Sequence, residues 1–569
     1  MEDSIFKSKY HRSEPIRKFN VDDTLYNTVM NTNEKTMHLK YSKYFIFEKN
    51  FYSLKNEVDK LATALKRDGV KEDNKVGVML LTVPQVDSAL LGINKIGAIS
   101  YWMDASLKPN DILHYIIDND IEEMIVSDPF KAIFEEIIDK TNLKRVVFVP
   151  VNPFDIRRIQ SKDERFIDYR DFINVKIDKS IRCVKYDRER PSVIVQSSGS
   201  TGKSKSIVHT DFNFNNAILK MAYSDLPFYT GKRGFVCAPP WVIYGLVNSI
   251  YSGLVLGNQT VFSVKPDEDM IFKHIGEFDY AYGVPVYLRY VYNKMQELLN
   301  DGNIKEYEKI RKKLDKVEMF ISGGDKILEE ELIKWELMFN TPIINGYGNN
   351  ELVGAAVVSP LFANKPGSIG IPMYGNIAKT FNLETHEMLD DGQIGELAIS
   401  TDSMFLEYLN NREETDEIKK FHDNKWWVHT GDLAIIDQDN YIFLKGRARR
   451  LIIDKLGYKI SPDNAEKLIS MNPYVEECVV VGVEIENNNT VPMAFIELKD
   501  AYKGNENIIE DIDRYCQENM KEYERPKIFH EIDEIPHKEN GGKQNFLLLE
   551  QLAKEYVANK PKIFVKTLH

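Results

Sequence analysis

The chain has 569 residues, of which 43% are hydrophobic and 28% are charged, as in an ordinary globular protein. This length exceeds the size to which one hydrophobic core grows, so two or more domains are expected. The formal net charge of -13 argues against a nucleic-acid partner, because such binding relies on lysines and arginines that neutralise phosphates.

Cysteine usage and the N-terminal sequence both indicate the cytoplasm. The four cysteines are widely separated, which predicts neither a zinc site nor a disulfide framework. The first residues are polar, and they lack the apolar stretch of a signal peptide. Residues 234–264 carry no charge, but Pro239, Pro240 and Asn248 interrupt their apolar character. We therefore predict a buried helix and strand there and no integral membrane segment.

The first predicted elements alternate between helix and strand. Apolar residues recur at helical spacing from Leu54 to Leu65, and a short apolar run follows. Because strands that alternate with helices form parallel sheets, we predict a large N-terminal α/β domain with layered sheets and helices. The predicted helices are 53–68, 89–99 and 112–119, and the predicted strands are 75–81, 124–127 and 146–149.

The predicted elements become shorter after about residue 440. Apolar runs predict strands at 478–483 and 493–498, and a helix at 507–523 precedes Pro526. This pattern favours a small C-terminal α+β domain, with the domains at 1–446 and 447–569.

A segment rich in glycine, serine and threonine follows the apolar run Val193–Val195. A strand that leads into such a loop presents backbone N–H groups and hydroxyls to an anion, and Lys203 and Lys205 add positive charge. The segment is not a Walker A loop, because Ser197 stands where that pattern requires glycine. A flexible surface loop is the alternative interpretation. The candidate triphosphate ligands are Ser197, Ser198, Gly199, Ser200, Thr201, Gly202 and Lys205.

This segment resembles the phosphate-binding loop of the adenylate-forming superfamily, which includes acyl-CoA synthetases, luciferases and nonribosomal peptide adenylation domains. The family pattern ends in Pro-Lys-Gly. In this chain Ser204 replaces the proline, Ser206 replaces the glycine, and Lys205 is retained. The resemblance implies ATP, Mg²⁺ and coenzyme A as cofactors and gives Lys205 a catalytic role.

Two further segments resemble the nucleotide site of this family. Residues 347–351 take the place of Tyr-Gly-x-Thr-Glu, and residues 322–325 take the place of a glycine-rich strand end. The resemblance implies that Tyr347 stacks on adenine, that Asn350 replaces a phosphate-contacting threonine, and that Glu351 is catalytic and holds magnesium. The other residues that it places at AMP are Gly323, Gly324 and Gly348.

The last third of the chain supplies the remaining matches. Asp432, in Thr-Gly-Asp, resembles the carboxylate that accepts hydrogen bonds from the ribose hydroxyls, and Arg447 resembles the ribose-contacting arginine at the domain hinge. Lys543 resembles the lysine that stabilises the adenylation transition state, on a mobile C-terminal domain. The hinge departs from the family pattern and then resumes it. The residues implied for coenzyme A are Gly457, Tyr458 and Lys459, and those implied for the acyl pocket are Trp241, Tyr244 and Gly245.

Together these matches predict an AMP-forming acyl-CoA synthetase that acts on a small-molecule fatty or aromatic acid. The alternatives are a carrier protein as the acyl acceptor, a catalytically silent nucleotide-binding paralogue, and a P-loop NTPase. A homodimer is one assembly that the sequence allows. His209 follows the phosphate loop, and we expect it to be structural and not catalytic.

Overall fold

The computed structural model describes most of the chain between residues 19 and 559. The described residues are 19–159, 161–196, 205–263, 269–325, 327–453, 459–485, 489–520, 522, 524–537 and 544–559. The chain divides into two compact units. Unit 1 comprises Met1–Ala378 and Ile399–Val428, and unit 2 comprises Lys379–Ala398 and His429–His569.

Strands and helices are numbered in chain order. The strands are β1 (Lys40–Tyr44), β2 (Phe47–Asn50), β3 (Lys75–Met79), β4 (Ile99–Trp102), β5 (Glu123–Ser127), β6 (Arg145–Val149), β7 (Phe166–Asp168), β8 (Pro191–Gln196), β9 (Ser206–Thr210), β10 (Arg233–Val236), β11 (Gln259–Phe262), β12 (Tyr280–Gly283), β13 (Met319–Gly323), β14 (Ile343–Asn349), β15 (Gly354–Val358), β16 (Ile371–Pro372), β17 (Ile377–Phe381), β18 (Gly395–Ser400), β19 (Glu407–Tyr408), β20 (Lys419–His422), β21 (Lys425–Ile436), β22 (Ile442–Arg447), β23 (Ile452–Ile453), β24 (Lys459–Ile460), β25 (Val475–Ile485), β26 (Asn489–Leu498) and β27 (Ile528–Glu531). The helices are α1 (Leu25–Thr32), α2 (Phe51–Arg67), α3 (Gln85–Lys95), α4 (Pro109–Asp118), α5 (Lys131–Ile137), α6 (Tyr169–Phe172), α7 (Asp211–Ala222), α8 (Ser252–Leu256), α9 (Met270–His274), α10 (Pro285–Asn300), α11 (Ile304–Leu314), α12 (Glu329–Phe339), α13 (Arg412–Ile418), α14 (Pro462–Ser470), α15 (Glu506–Asn519) and α16 (Phe546–Asn559).

Unit 1 contains two large sheets whose inner strands are parallel. The first has the order β19-β9-β8-β4-β3-β5-β6-β7, and the second has the order β16-β15-β14-β13-β12-β10-β11-β1-β2. In the first sheet β3, β4, β5, β6, β7 and β8 pair in parallel, and in the second β1, β10, β11, β12, β13 and β14 do so. The predicted α/β architecture with parallel strands is confirmed.

Two predicted helices show what local sequence decides. Helix α2 agrees with the prediction, since the Asn50 side chain accepts a hydrogen bond from the Ser53 N–H and apolar residues recur along one buried face. The predicted helix 89–99 is wrong at its C-terminal end, because α3 ends at Lys95. Gly97 adopts a φ of +78°, and the N–H of Ala98 bonds to the carbonyl of Ile93 at 3.2 Å. This glycine C-cap ends the helix and lets β4 begin.

The uncharged segment 234–264 forms buried structure inside unit 1. It contains the end of β10, a π-helical segment at Tyr244–Tyr251, helix α8 and strand β11, and most of its residues are buried. The prediction of a buried helix and strand is confirmed. Within the part of the chain that the structure describes, no helix is both long enough and apolar enough to span a bilayer.

Unit 2 contains a three-stranded sheet in which β25 pairs antiparallel with β26, and β26 pairs parallel with β27. Helices α14 and α15 contribute Ile469 and Ile512 to the same core as Val480 and Ile496 of the sheet. The small α+β fold is confirmed, and both predicted strands lie within β25 and β26. The helix predicted at 507–523 is too long, because α15 ends at Asn519 and Met520 has extended backbone angles.

Candidate active site

The predicted nucleotide residues of unit 1 gather at the carboxyl ends of parallel strands, where open α/β sheets bind their ligands. Strand β8 ends at Gln196, directly before the phosphate loop, and β13 ends at Gly323. Strand β14 ends at Asn349, directly before Asn350 and Glu351. The loop residues Ser197, Ser198, Gly199, Ser200, Thr201 and Gly202 lie outside the described residues, so their phosphate role stays a prediction.

The Asn350 side chain joins three of these segments. Its amide nitrogen donates to the carbonyl of Gln196 at 3.4 Å, and its amide oxygen accepts from the N–H of Ile243 at 3.4 Å. The end of β8 is thereby held to the end of β14, although the two strands belong to different sheets. Both the nitrogen and the oxygen of this side-chain amide are hydrogen-bonded to backbone groups. In this structure Asn350 therefore holds neighbouring segments of the site together.

Three of the predicted site glycines are required by backbone packing. A Cβ atom on Gly348 would lie 1.7 Å from the carbonyl oxygen of Gly354, and one on Gly245 would lie 2.0 Å from that of Pro239. A Cβ on Gly323 would lie 2.8 Å from the carbonyl oxygen of Gly346. No side chain fits at these distances, so the glycines allow neighbouring backbone segments to approach each other closely. Gly324 has a φ of +83°, which also favours glycine.

Glu351 is fixed by a segment that no sequence motif singles out. Its carboxylate oxygen Oε1 accepts a hydrogen bond from the Tyr408 hydroxyl at 2.7 Å, and its backbone carbonyl accepts from the N–H of Phe405 at 2.7 Å. Among the described residues no group donates to its second oxygen, Oε2. Glu351 is therefore oriented through one oxygen while the other remains available to a ligand.

Lys205 lies beside the same tyrosine. Its ammonium is 3.1 Å from the carboxylate of Glu414 and 4.9 Å from the centre of the Tyr408 ring. These groups line a cavity of about 450 Å³ together with polar residues of α4 and the residue after it, Tyr115, Asp118 and Asn119. Tyr408 thus connects the predicted catalytic lysine with the predicted magnesium ligand. Neither Tyr408 nor Glu414 was expected at the site.

Tyr244, predicted for the acyl pocket, is hydrogen-bonded to the backbone of β12 and β13. Its hydroxyl lies 2.9 Å from the carbonyl oxygen of Ile321 and 3.1 Å from that of Gly283, and burial raises its pKa. Its ring meets Tyr282 edge-on with the centroids 6.1 Å apart. Trp241 and Tyr347 are half-buried in the same unit. The substrate roles of all three stay predictions.

Unit 2 brings Asp432 and Arg447 together. Asp432 lies on β21 with its side chain 10% exposed, and the Nε atom of Arg447 is 2.7 Å from its Oδ1 atom. Strands β21 and β22 are antiparallel neighbours, and their register places these two residues opposite each other. Glu396 supports the adjacent turn by accepting from the N–H of Gly431 at 3.1 Å. The resemblance predicted a shared ribose role for this pair, and the fold makes the two residues direct neighbours.

The adenylation lysine and the three residues predicted for coenzyme A lie wholly or partly outside the described part of unit 2. Lys543, Gly457 and Tyr458 lie outside the described residues. Lys459 belongs to β24, and its backbone pairs with that of Ile453 in β23. The adenylation role of Lys543 and the coenzyme A roles of the other three stay predictions.

His209 is enclosed in the core of unit 1. It is fully buried, and neither ring nitrogen has a hydrogen-bond partner among the described residues. Desolvation lowers its pKa to about 3, so the ring is neutral at physiological pH. This environment agrees with the expectation of a structural residue.

The neutral state of His209 predicts an acid-sensitive fold. Unfolding exposes the ring and restores a pKa of about 6.5, so stability is complete above that pH and falls as the pH drops toward 3. We expect His209 to account for a loss of about 2 kcal/mol at pH 5. The pH dependence of the urea midpoint should flatten in His209→Leu and stay unchanged in His114→Leu, whose histidine is exposed. Equal pH dependence in wild type and His209→Leu would contradict the assignment.

These features describe a nucleotide-dependent enzyme built on an α/β fold. Residues 33–409 match the family model of AMP-binding enzymes, and residues 464–542 match the model of the AMP-binding enzyme C-terminal domain. The chain belongs to the AMP-binding enzyme family.

Relatives and solved structures agree with this assignment. The chain is 24% identical over 84% of its length to a long-chain-fatty-acid–CoA ligase of Escherichia coli O6:H1, and it covers 84% of that protein. It is 24% identical over 87% of its length to a 3-hydroxybenzoate–CoA ligase of Aromatoleum sp., and it covers 90% of that protein. The fold is similar to the anthranilate–CoA ligase AuaEII in complex with anthranoyl-AMP, with a TM-score of 0.79, 21% identity, and coverage of 95% and 99% of the two chains. The prediction of an adenylate-forming enzyme of the acyl-CoA synthetase kind is confirmed.

Proposed function

We propose that the protein is an AMP-forming acyl-CoA synthetase that acts on a fatty or aromatic acid. The observation that carries this proposal is the extent of the family match, which includes both the large N-terminal segment and the C-terminal segment. Relatives that align over 84% and 87% of the chain are CoA ligases of a fatty acid and of an aromatic acid, respectively. Both acid classes therefore stay in the proposal.

The reaction proceeds in two displacements. A carboxylate is a poor electrophile, because its charge is delocalised and its leaving group would be oxide. In the first step a carboxylate oxygen bonds to the α-phosphorus of ATP and the bond to pyrophosphate breaks. In the second step the sulfur of coenzyme A bonds to the acyl carbon, the bond to AMP breaks, and the thiol proton is released. Positioning and electrostatic stabilisation suffice for the first step, without a protein nucleophile.

Glu351 fits the role of a magnesium ligand. Carboxylate oxygen is a preferred donor for this hard cation, and magnesium in such sites is held by one or two carboxylates together with substrate phosphates. Glu351 would hold the ion through its carboxylate, which Tyr408 orients, and a bound magnesium ion would supply positive charge near the phosphates.

Lys205 would bind the same pyrophosphate together with the phosphate loop. Its ammonium now contacts the Glu414 carboxylate and lies over the Tyr408 ring, at the edge of a cavity. Phosphate oxygens would replace that carboxylate as its anionic partner when ATP binds. Lysine suits this exchange, because its compact charge is carried on a flexible stem.

Asp432 would accept hydrogen bonds from the ribose hydroxyls, with Arg447 holding its other side. Replacing Asp432 with asparagine removes a charged acceptor and keeps the shape of the side chain, so we expect the KM for ATP to rise about tenfold. The KM for the acid should not change. Asp390→Asn, at an exposed position in unit 2, is the matched control. An unaltered KM for ATP in Asp432→Asn would contradict the ribose role.

The test of the proposed function is a panel of fatty and aromatic acids with ATP and Mg²⁺, scored for AMP release with and without coenzyme A. We expect AMP and pyrophosphate as products, with coenzyme A accelerating AMP release and appearing as a thioester. If an acyl-carrier protein accelerates AMP release and coenzyme A does not, the carrier protein is the acyl acceptor. Release of ADP would overturn the proposal.

A further inference from the structure

A buried lysine is connected to the backbone next to Glu351 through a short series of hydrogen bonds. Lys220, in the last turn of α7, is 3% exposed, and its ammonium donates to the hydroxyls of Thr401 and Ser403, the second at 2.8 Å. No carboxylate lies within ion-pair distance of it among the described residues. Desolvation lowers its pKa to about 7, although the charge of Asp402 partly opposes this shift. Burying an amine without a close ion pair costs free energy, so the residue calls for an explanation other than stability.

The two hydroxyls lead to Glu351. The Ser403 hydroxyl donates to the carbonyl oxygen of Leu352 at 3.1 Å, and the two hydroxyls lie 3.0 Å apart. Farther along the same segment, the N–H of Phe405 donates to the backbone carbonyl of Glu351, and the Tyr408 hydroxyl donates to its carboxylate. We call residues 401–408 the Glu351 clamp.

We propose that Lys220 is a positioning residue for Glu351, which acts by fixing the Thr401 and Ser403 hydroxyls of the Glu351 clamp. The inference rests on the proposed function, in which Glu351 binds magnesium with ATP. The direction of the hydrogen bonds supports it. The Lys220 nitrogen donates to the Ser403 hydroxyl, which donates in turn to the carbonyl of Leu352, so these bonds connect α7 to the residue next to Glu351.

Magnesium-dependent ATP binding tests this role without turnover. Calorimetric titrations of ATP with and without Mg²⁺, in the absence of acid, give the gain in affinity that the ion provides. We expect this gain to fall about fivefold in Lys220→Met and in Ser403→Ala, because each change removes hydrogen bonds that orient the clamp. Hydrogen exchange of residues 349–356 should quicken in both variants. A purely structural role would lower the melting temperature and leave the magnesium gain unchanged.

Lys95→Met is the matched control. This variant also removes a buried lysine of unit 1, one that pairs with Asp59 at 2.6 Å and does not contact the clamp, so its magnesium gain should equal that of wild type. Ser403→Ala keeps the test decisive if Lys220→Met fails to fold. An unchanged gain in the folded variants overturns the positioning role even where wild type releases AMP. Wild-type protein that releases no AMP with any acid overturns the proposed function, and the binding measurement still decides the role of Lys220.

Discussion

Replacing Lys543 with alanine is expected to slow acyl-adenylate formation by about 1,000-fold, because the change removes the cation proposed to meet the charge that develops at the α-phosphate. The affinity for ATP should remain largely intact, since the lysine acts mainly in the transition state and not on the bound nucleotide. Pyrophosphate exchange measures the first step, and equilibrium titration measures ATP binding. The C-terminal family match ends at residue 542, so this prediction depends on the resemblance of the segment that contains Lys543.

The second half-reaction provides the internal control for Lys543→Ala. When the acyl-adenylate is supplied directly, transfer to coenzyme A should proceed at a rate close to that of wild type, because that step does not need the adenylation lysine. Lys554→Ala, at an exposed position of α16, should leave both steps unchanged. Full pyrophosphate exchange in Lys543→Ala would remove this residue from the mechanism.

The sequence predicted the architecture well where local pattern decides it. The apolar face of α2 and the alternation of helices with buried strands sufficed for the α/β fold. The end of α3 was missed because apolar periodicity continues past Lys95, while a glycine in a left-handed conformation ends the helix. Apolar periodicity alone does not show that Gly97 ends the helix.

The candidate site was predictable to the extent that its residues form contiguous motifs. Residues 347–351 were identified from their order along the chain, and the fold places them at the end of β14. Tyr408 was not identified, because its contact with Glu351 joins residues 57 positions apart and its own segment has no distinctive spacing. Lys220 was missed for the same reason, since its meaning depends on hydroxyls 181 and 183 positions away.

Replacing Glu351 with glutamine is expected to lower the rate of adenylation about 100-fold and to remove most of the gain in ATP affinity that Mg²⁺ provides. The change removes the negative charge and keeps the length of the side chain. The amide oxygen can still accept the hydrogen bond from Tyr408, so the contacts of the Glu351 clamp should survive. The effect would then report the loss of a charged ligand and not a rearrangement of the strand end.

Two comparisons make the Glu351 result specific. Glu413→Gln removes a carboxylate from an exposed position of α13 and should leave both the rate and the magnesium gain unchanged. Tyr408→Phe keeps the Glu351 carboxylate and removes its hydrogen bond, so we expect a loss about tenfold smaller than that in Glu351→Gln. A Glu351→Gln enzyme with the magnesium dependence of wild type would show that the ion is held elsewhere. The Tyr408 contact would then orient a carboxylate that has no role at the phosphates.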